Sequence, residues 1–255
     1  MAAELEDRDL IVLESIRASR EPIGSWALVD SLEAKGHKVS SASIGRILYR
    51  LEHLGFVESQ SNRGRVITQE GIRAIETMKV QNTIESHRLR LESLINSSVL
   101  EEFIMVLQAR RAIERETSRL AAENITEAQK QALISILEEQ EDKAKRKESI
   151  ADIDIAFHRE IAKASHNTAL QSLYEILSTM GQQSELFEFV RSQIDATYRQ
   201  AHRRVLEAIC DHDPDKAEEC IIQHMDSLIE DVSKYWDLYA DAANRFHCAE
   251  PGGSR

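Results

Sequence analysis

Glycine and proline are scarce in this chain of 255 residues, which has nine glycines and three prolines. Average usage would place about 12% of residues in those two types. So few backbone breakers point to a helix-dominated protein. Cysteine is also rare: Cys210, Cys220 and Cys248 form no CxxC pair, which argues against a disulfide framework and a thiolate zinc site. No run of 18 or more apolar residues exists, so no membrane helix is expected. The acidic start, Met1–Asp9, lacks the basic region of a signal peptide. A soluble, cytoplasmic protein with no membrane partner is the expectation.

A basic excess is missing as well. The net charge is −12, split as 11 Lys+Arg against 12 Asp+Glu over residues 1–80 and 21 against 32 beyond. That distribution excludes a generally basic nucleic-acid binder. It leaves room for a small module with a local basic face in the first 80 residues. Apolar residues make up 42% of the chain and recur periodically, which excludes global disorder.

Residues 7–75 read as a compact winged helix. A first helix is predicted over about 7–18 with Leu10, Leu13 and Ile16 inward, and a second over about 26–35, with Ser25 as N-cap and Gly36 at the C′ position. The third helix, capped by Ser40 or Ser41, has an inner stripe of Ile44, Ile47, Leu48, Leu51 and Leu54. Its outer face presents Ser41, Ala42, Ser43, Arg46 and Arg50, small residues and arginines suited to the major groove. Two short strands, about 56–60 and 65–68, are joined by Ser61-Asn62-Arg63-Gly64, and Arg63 and Arg65 at that wing suit phosphate or minor-groove contact. Solvated arginines on a protein-binding winged helix are the bland alternative.

The predicted organisation is 1–80 winged helix, 81–98 linker, 99–246 all-helical unit and 247–255 tail. Helices are expected over about 99–123, 127–146, 150–165, 168–185, 190–211 and 214–246, with Thr126 and Asp213 as caps and Asn167 closing the third of them.

Four polar residues stand mid-stripe on apolar helix faces in this unit. Asp154 and His158 are four apart and stack on one face with Ile150, Phe157 and Ile161. His202 lies among Tyr198, Val205 and Ile209, and His224 among Ala217, Ile221, Leu228 and Val232. A polar group on a core face costs roughly 1–3 kcal/mol unless satisfied. The segment Asp211-His212-Asp213-Pro214 reads as a tight turn, with His202 nine residues before Asp211 and His224 ten after Pro214. At about 1.5 Å per residue both imidazoles stand roughly 14–15 Å from the turn, level across a helical hairpin. One carboxylate and three imidazoles so placed suggest a shared divalent metal. Hydrogen-bonded core histidines are the alternative. Cys220, four before His224, is expected to be a small core residue rather than a ligand.

Arg110 also sits on a core stripe, with Phe103, Val106, Ile113, Thr117 and Leu120. Two readings are open: an interior ion pair with Glu114 one turn on, or a clamp on a carboxylate ligand, which a guanidinium grips bidentately.

Asp154-x3-His158, followed by Ala164-Ser165-His166-Asn167 and then His202 and His224, resembles the FCD effector domain of FadR-like regulators in the GntR superfamily. Gln108-Ala109-Arg110-Arg111-Ala112-Ile113-Glu114, leading to Leu120-Ala121-Ala122, is similar to that family's opening helix. The resemblance covers roughly residues 99–240. It implies that Asp154, His158, His202 and His224 hold a divalent cation, and that Arg110 and Asn167 belong to a small-carboxylate effector site. His166 stands where the family usually has glycine. The N-terminal part departs from the usual GntR pattern, with Glu21-Pro22-Ile23-Gly24 and Ile44-Gly45-Arg46-Ile47-Leu48, and is more similar to winged helices of archaeal and other repressors.

The expected protein is a mainly α, non-enzymatic transcription regulator: an N-terminal winged helix-turn-helix followed by an all-helical FCD-type bundle. Zinc suits the ligand set best, with nickel, manganese or iron as alternatives. Operator double-stranded DNA, a small carboxylate metabolite and a second copy of the chain are the expected partners. The rival is a metal-dependent hydrolase fused to a winged helix, on the strength of the His212-Asp213 dipeptide. A third reading is a helical scaffold with a purely structural metal.

Overall fold

The computed structural model describes residues 5–19, 21–97, 99–181, 189 and 200–247. The chain forms two compact units, residues 1–90 and 91–255.

In the first unit, α1 (Asp7–Ala18), α2 (Ser25–Ala34) and α3 (Ser41–His53) precede a two-stranded hairpin, β1 (Val57–Ser59) and β2 (Arg65–Ile67). Leu13, Leu28, Ile44, Leu48 and Leu51 are fully buried together, with Ile75 beneath them. Each such side chain contributes roughly 1.5–3 kcal/mol relative to exposure. The α3 stripe follows the 3.6-residue period, so its opposite face stays in solvent. Ser40 caps α3, its hydroxyl accepting from Ser43 N–H at 3.2 Å. Helix α2 differs slightly from expectation: it begins at Ser25, with Gly24 as N-cap and no side-chain cap. Gly36 has φ 86°, the left-handed conformation that closes a helix.

The wing is antiparallel, Val57 opposite Ile67 and Ser59 opposite Arg65, and Ile23 adds a bridge to Arg65. That bridge brings backbone against Gly64, where an added Cβ would lie 2.4 Å from the Ile23 carbonyl carbon.

Helix α4 (Gln69–Ile95) runs unbroken for 27 residues, through most of the span 81–98 expected to connect the two units. No glycine or proline interrupts it after Gly71. Residues 79–90 are exposed on every side. There the helix is supported by its own turns, such as the Arg88–Glu85 pair at 2.8 Å. Sequence patterning looks for a buried stripe, and this stretch has none. The break at Asn96-Ser97 follows, as the composition implies.

In the second unit, α5 (Leu100–Asn124), α6 (Glu127–Lys145), α7 (Ala151–Ala164), α8 (Thr168–Gly181) and α10 (Pro214–His247) are joined by the helix through residues 200–210, here α9. Parts of the predicted 168–185 and 190–211 helices, and the tail 248–255, lie outside the described residues. Thr126 and Gln129 form a reciprocal capping box at α6. Helix α10 packs along α5, and α7 packs against α5, α6 and α8. Phe157, Ile161, Leu133, Val205, Ile209 and Ile221 share one core. Phe103, Ile153, Met225 and Leu228 share another.

Candidate metal centre

Asp154, His158, His202 and His224 are brought to one place in the interior of the second unit. All four are buried, none more than 3% exposed. Asp154 and His158 come from successive turns of α7, His202 from α9 and His224 from α10. The hairpin turn that levels the two histidines is built as its composition implies. Asp213 Oδ1 accepts from Lys216 N–H at 3.0 Å, capping α10.

Asp154 Oδ1 stands 3.5 Å from His202 Nε2 and 3.9 Å from His158 Nε2. One ligand nitrogen from each of His158, His202 and His224 lies within 4.8 Å of the others. Tetrahedral ligands at zinc–nitrogen bond lengths are roughly 3.4 Å apart, so small side-chain shifts suffice to bring this set onto one cation. Burial, and after it the neighbouring imidazoles of His202 and His158, push the His224 imidazole well below its usual range. That favours the neutral form a metal requires. Donor chemistry, burial and spacing therefore fit a divalent cation.

The opposite edges of two rings are held by acceptors. His158 Nδ1 lies 2.7 Å from Glu114 Oε2 on α5. His202 Nδ1 lies 3.0 Å from Gln140 Oε1 on α6. Glu114 in turn accepts from Arg110 Nε at 2.8 Å and Nη2 at 2.7 Å, all deep in the core. Burial alone would raise the Glu114 carboxyl, but Arg110 and His158 outweigh it and hold it down at about 2.

Arg110 makes the interior ion pair with Glu114 that is one of its two readings. Asn167 is likewise engaged, its Oδ1 accepting from Leu170 N–H at 3.2 Å at the start of α8. His166 takes a left-handed φ of 55°, a conformation that favours glycine. Glu114 in its role at His158, Gln140 and the buried Tyr174 were not singled out as site residues from sequence. Gln140 carried a usable signal, since it sits mid-stripe with Leu133 and Leu137 just as Asp154 does with its apolar neighbours. The His212-Asp213 dipeptide is spent on the turn: His212 Nδ1 donates to the Ala122 carbonyl at 2.8 Å, and Asp213 is the cap. Cys220 packs partly buried against the core, and burial raises its thiol.

On the winged helix, Ala42 and Arg46 are exposed, Ser41 and Ser43 half-buried, and Arg63 exposed at the wing. Arg50 is half-buried, and its guanidinium bonds the buried Asp9 of the first helix and Glu6 at its N-cap. Arg65 is held through Nε and Nη2 by Glu52 Oε2 at 3.0 and 2.9 Å. Both arginines find carboxylates that only packing brings near. Tyr49, 71% exposed and seven residues after Ala42, joins the outer face.

Comparison with known proteins agrees with both units. Residues 105–227 match the FCD domain, and residues 10–75 match the ribonuclease R winged-helix domain. The HTH-type transcriptional regulator LutR of Bacillus subtilis (strain 168) is 24% identical over 216 residues, spanning 82% of this chain and 93% of LutR. The Exu regulon transcriptional regulator of Escherichia coli (strain K12) is 26% identical over 144 residues, 53% of this chain and 55% of that protein. Among solved structures, E. coli McbR/YncC aligns with a TM-score of 0.48 at 16% identity, covering 90% of this chain and 95% of its own. These curated relatives are regulators and not enzymes, which removes the hydrolase reading. The FCD match lies over the buried aspartate–histidine cluster, so the second unit carries an FCD domain, and the chain is similar to transcription regulators.

Proposed function

We propose that this regulator is metabolite-responsive: its helical unit holds a divalent metal through Asp154, His158, His202 and His224 and binds a small carboxylate effector there. The observation that carries the reading is the approach of Asp154 Oδ1 to the Nε2 atoms of both His202 and His158 in a site closed to solvent. When bound, the cation would supply a positive centre, and an acid oxygen would join as a ligand beyond the four protein groups. Zinc suits three imidazoles and one carboxylate best.

The buried charges support a monoanionic effector. Two carboxylates, Asp154 and Glu114, are partly offset by Arg110. A dication turns that balance to one net positive charge, and a monocarboxylate neutralises it. Buried charge without compensation is costly, so the ligand that balances the site is favoured. Arg110 contributes through Glu114, and Asn167 by shaping the α7–α8 corner.

On the DNA side, the reading assigns base and phosphate contacts to Ser41, Ala42, Ser43, Arg46 and Arg63, with Arg50 and Arg65 setting the frame of the helix and wing. A homodimer acting on a two-fold operator in the cytoplasm follows from half-site geometry.

The test is thermal unfolding of the metal-loaded chain against a panel of small acids, followed by selection from random double-stranded DNA. Monocarboxylates are expected to raise the melting temperature and to change affinity for an enriched inverted repeat. Absence of any acid effect on metal-loaded, folded protein would leave the metal structural. Absence of any enriched sequence would remove the DNA role from the winged helix.

A further inference from the structure

Resting on the metal reading above, we infer that Glu114 and Gln140 are positioning residues, which hold the Nδ1 edges of His158 and His202 and so aim both Nε2 atoms at Asp154. An imidazole ligates through either nitrogen, and its ring turns about χ2 unless something holds it. A carboxylate oxygen 2.7 Å from His158 Nδ1 only accepts, so the contact favours a proton on that nitrogen, and in the neutral ring that a metal requires Nε2 then carries the lone pair. The amide oxygen of Gln140, 3.0 Å from His202 Nδ1, imposes the same tautomer.

The two positioners differ in charge. Glu114 is anionic and anchored through its other oxygen by Arg110, forming a chain from Arg110 to Glu114 to His158. Gln140 is neutral and fully buried, and its Nε2 makes no hydrogen bond among the described residues. A buried amide N–H without a partner costs about 1–3 kcal/mol. A leucine on the same stripe would avoid that cost, so the amide is retained for the contact its oxygen makes. Outer-shell partners of this kind typically set metal affinity by 10–100-fold.

The experiment uses the full chain labelled with 15N-histidine. Glu114→Ala strands Arg110 in the core, so Gln140→Leu and Glu114→Gln carry the test. Long-range 1H–15N spectra of the metal-stripped protein read the tautomers, and competition with a chromogenic chelator reads zinc affinity. In the wild type, His158 and His202 are expected as Nδ1–H tautomers. Gln140→Leu is expected to redistribute the His202 tautomer alone and to weaken zinc binding about 10–100-fold. Glu114→Gln leaves its single amide oxygen to the Arg110 guanidinium and turns its NH2 toward His158 Nδ1, so it is expected to move the His158 proton to Nε2. A Gln140→Leu protein with the wild-type His202 tautomer and unchanged zinc affinity would overturn the inference. If the wild type takes up no zinc, the metal reading fails, and the tautomers of the metal-stripped protein still decide whether the two residues position the rings.

Discussion

Asp154 Oδ1 and His202 Nε2 lie 3.5 Å apart, although 48 residues separate them in the chain. A stabilised divalent cation is the consequence to test first. At a free zinc concentration 100 times its Kd, binding contributes about 2.7 kcal/mol. For a unit of this size, that corresponds to a melting shift of roughly 5–10 °C. His202→Ala is expected to abolish the shift, read by calorimetry with and without a chelator. A zinc-induced shift that survives in His202→Ala would place the metal elsewhere.

The arginines of the third helix separate into two kinds. Removing Arg50 leaves the fully buried Asp9 without its main partner. Arg50→Ala is therefore expected to destabilise the winged helix by about 1–3 kcal/mol. Arg46 is exposed and touches no carboxylate in the described contacts. Arg46→Ala should change stability by less than about 0.5 kcal/mol. It should weaken specific DNA binding by about 1–3 kcal/mol. Thermal melts and fluorescence anisotropy on the selected site, side by side, would reveal whether the two residues behave alike instead.

Two histidines adopt the same left-handed backbone but should respond oppositely to glycine. His166 and His212 both have φ 55°. His166 makes only an exposed contact, with Gln129 Oε1 at 3.2 Å. His166→Gly should relieve the backbone and stabilise the helical unit by roughly 0.5–1 kcal/mol. His212→Gly loses the 2.8 Å bond to the Ala122 carbonyl, which offsets the backbone gain. Denaturant midpoints of the two variants should therefore move apart, and a common shift in one direction counts against this account.

Gly71 opens the first turn of α4 against the end of the wing. A Cβ there would meet the Phe56 carbonyl oxygen at 2.1 Å and Ile67 Cγ1 at 2.8 Å. The first of these is backbone and cannot rotate away. Gly71→Ala is expected to cost about 2 kcal/mol or more in the first unit, while Gly45→Ala, which meets nothing within 4 Å, should not. Equal melting temperatures for the two variants would contradict the packing.

Much of the fold was legible because its signals are local. The stripe Ile44, Ile47, Leu48, Leu51 specifies which face of α3 is buried. Thr126 and Asp213 mark helix starts through bonds that span three residues. The proximity of His202 and His224 followed from a tight turn and a constant rise per residue. Their rings are 4.7 Å apart. How far α4 runs unbroken was less legible, because periodicity reports burial and its exposed span has no buried face to report.

Sequence by itself determined which side chains are committed to the interior, since helical geometry repeats regardless of what lies opposite. Asp154, His158, His202, His224 and Arg110 could each be placed on a core face that way. Only the tertiary structure decided which of those groups meet. That Arg50 reaches Asp9, and which acceptors hold His158 and His202, depend on distances between helices. Hydrogen bonds and ion pairs fall off within an ångström or so of their optimum, whereas apolar burial is non-directional. Apolar patterning therefore survives in the linear chain, while polar partnership appears only once the helices are packed.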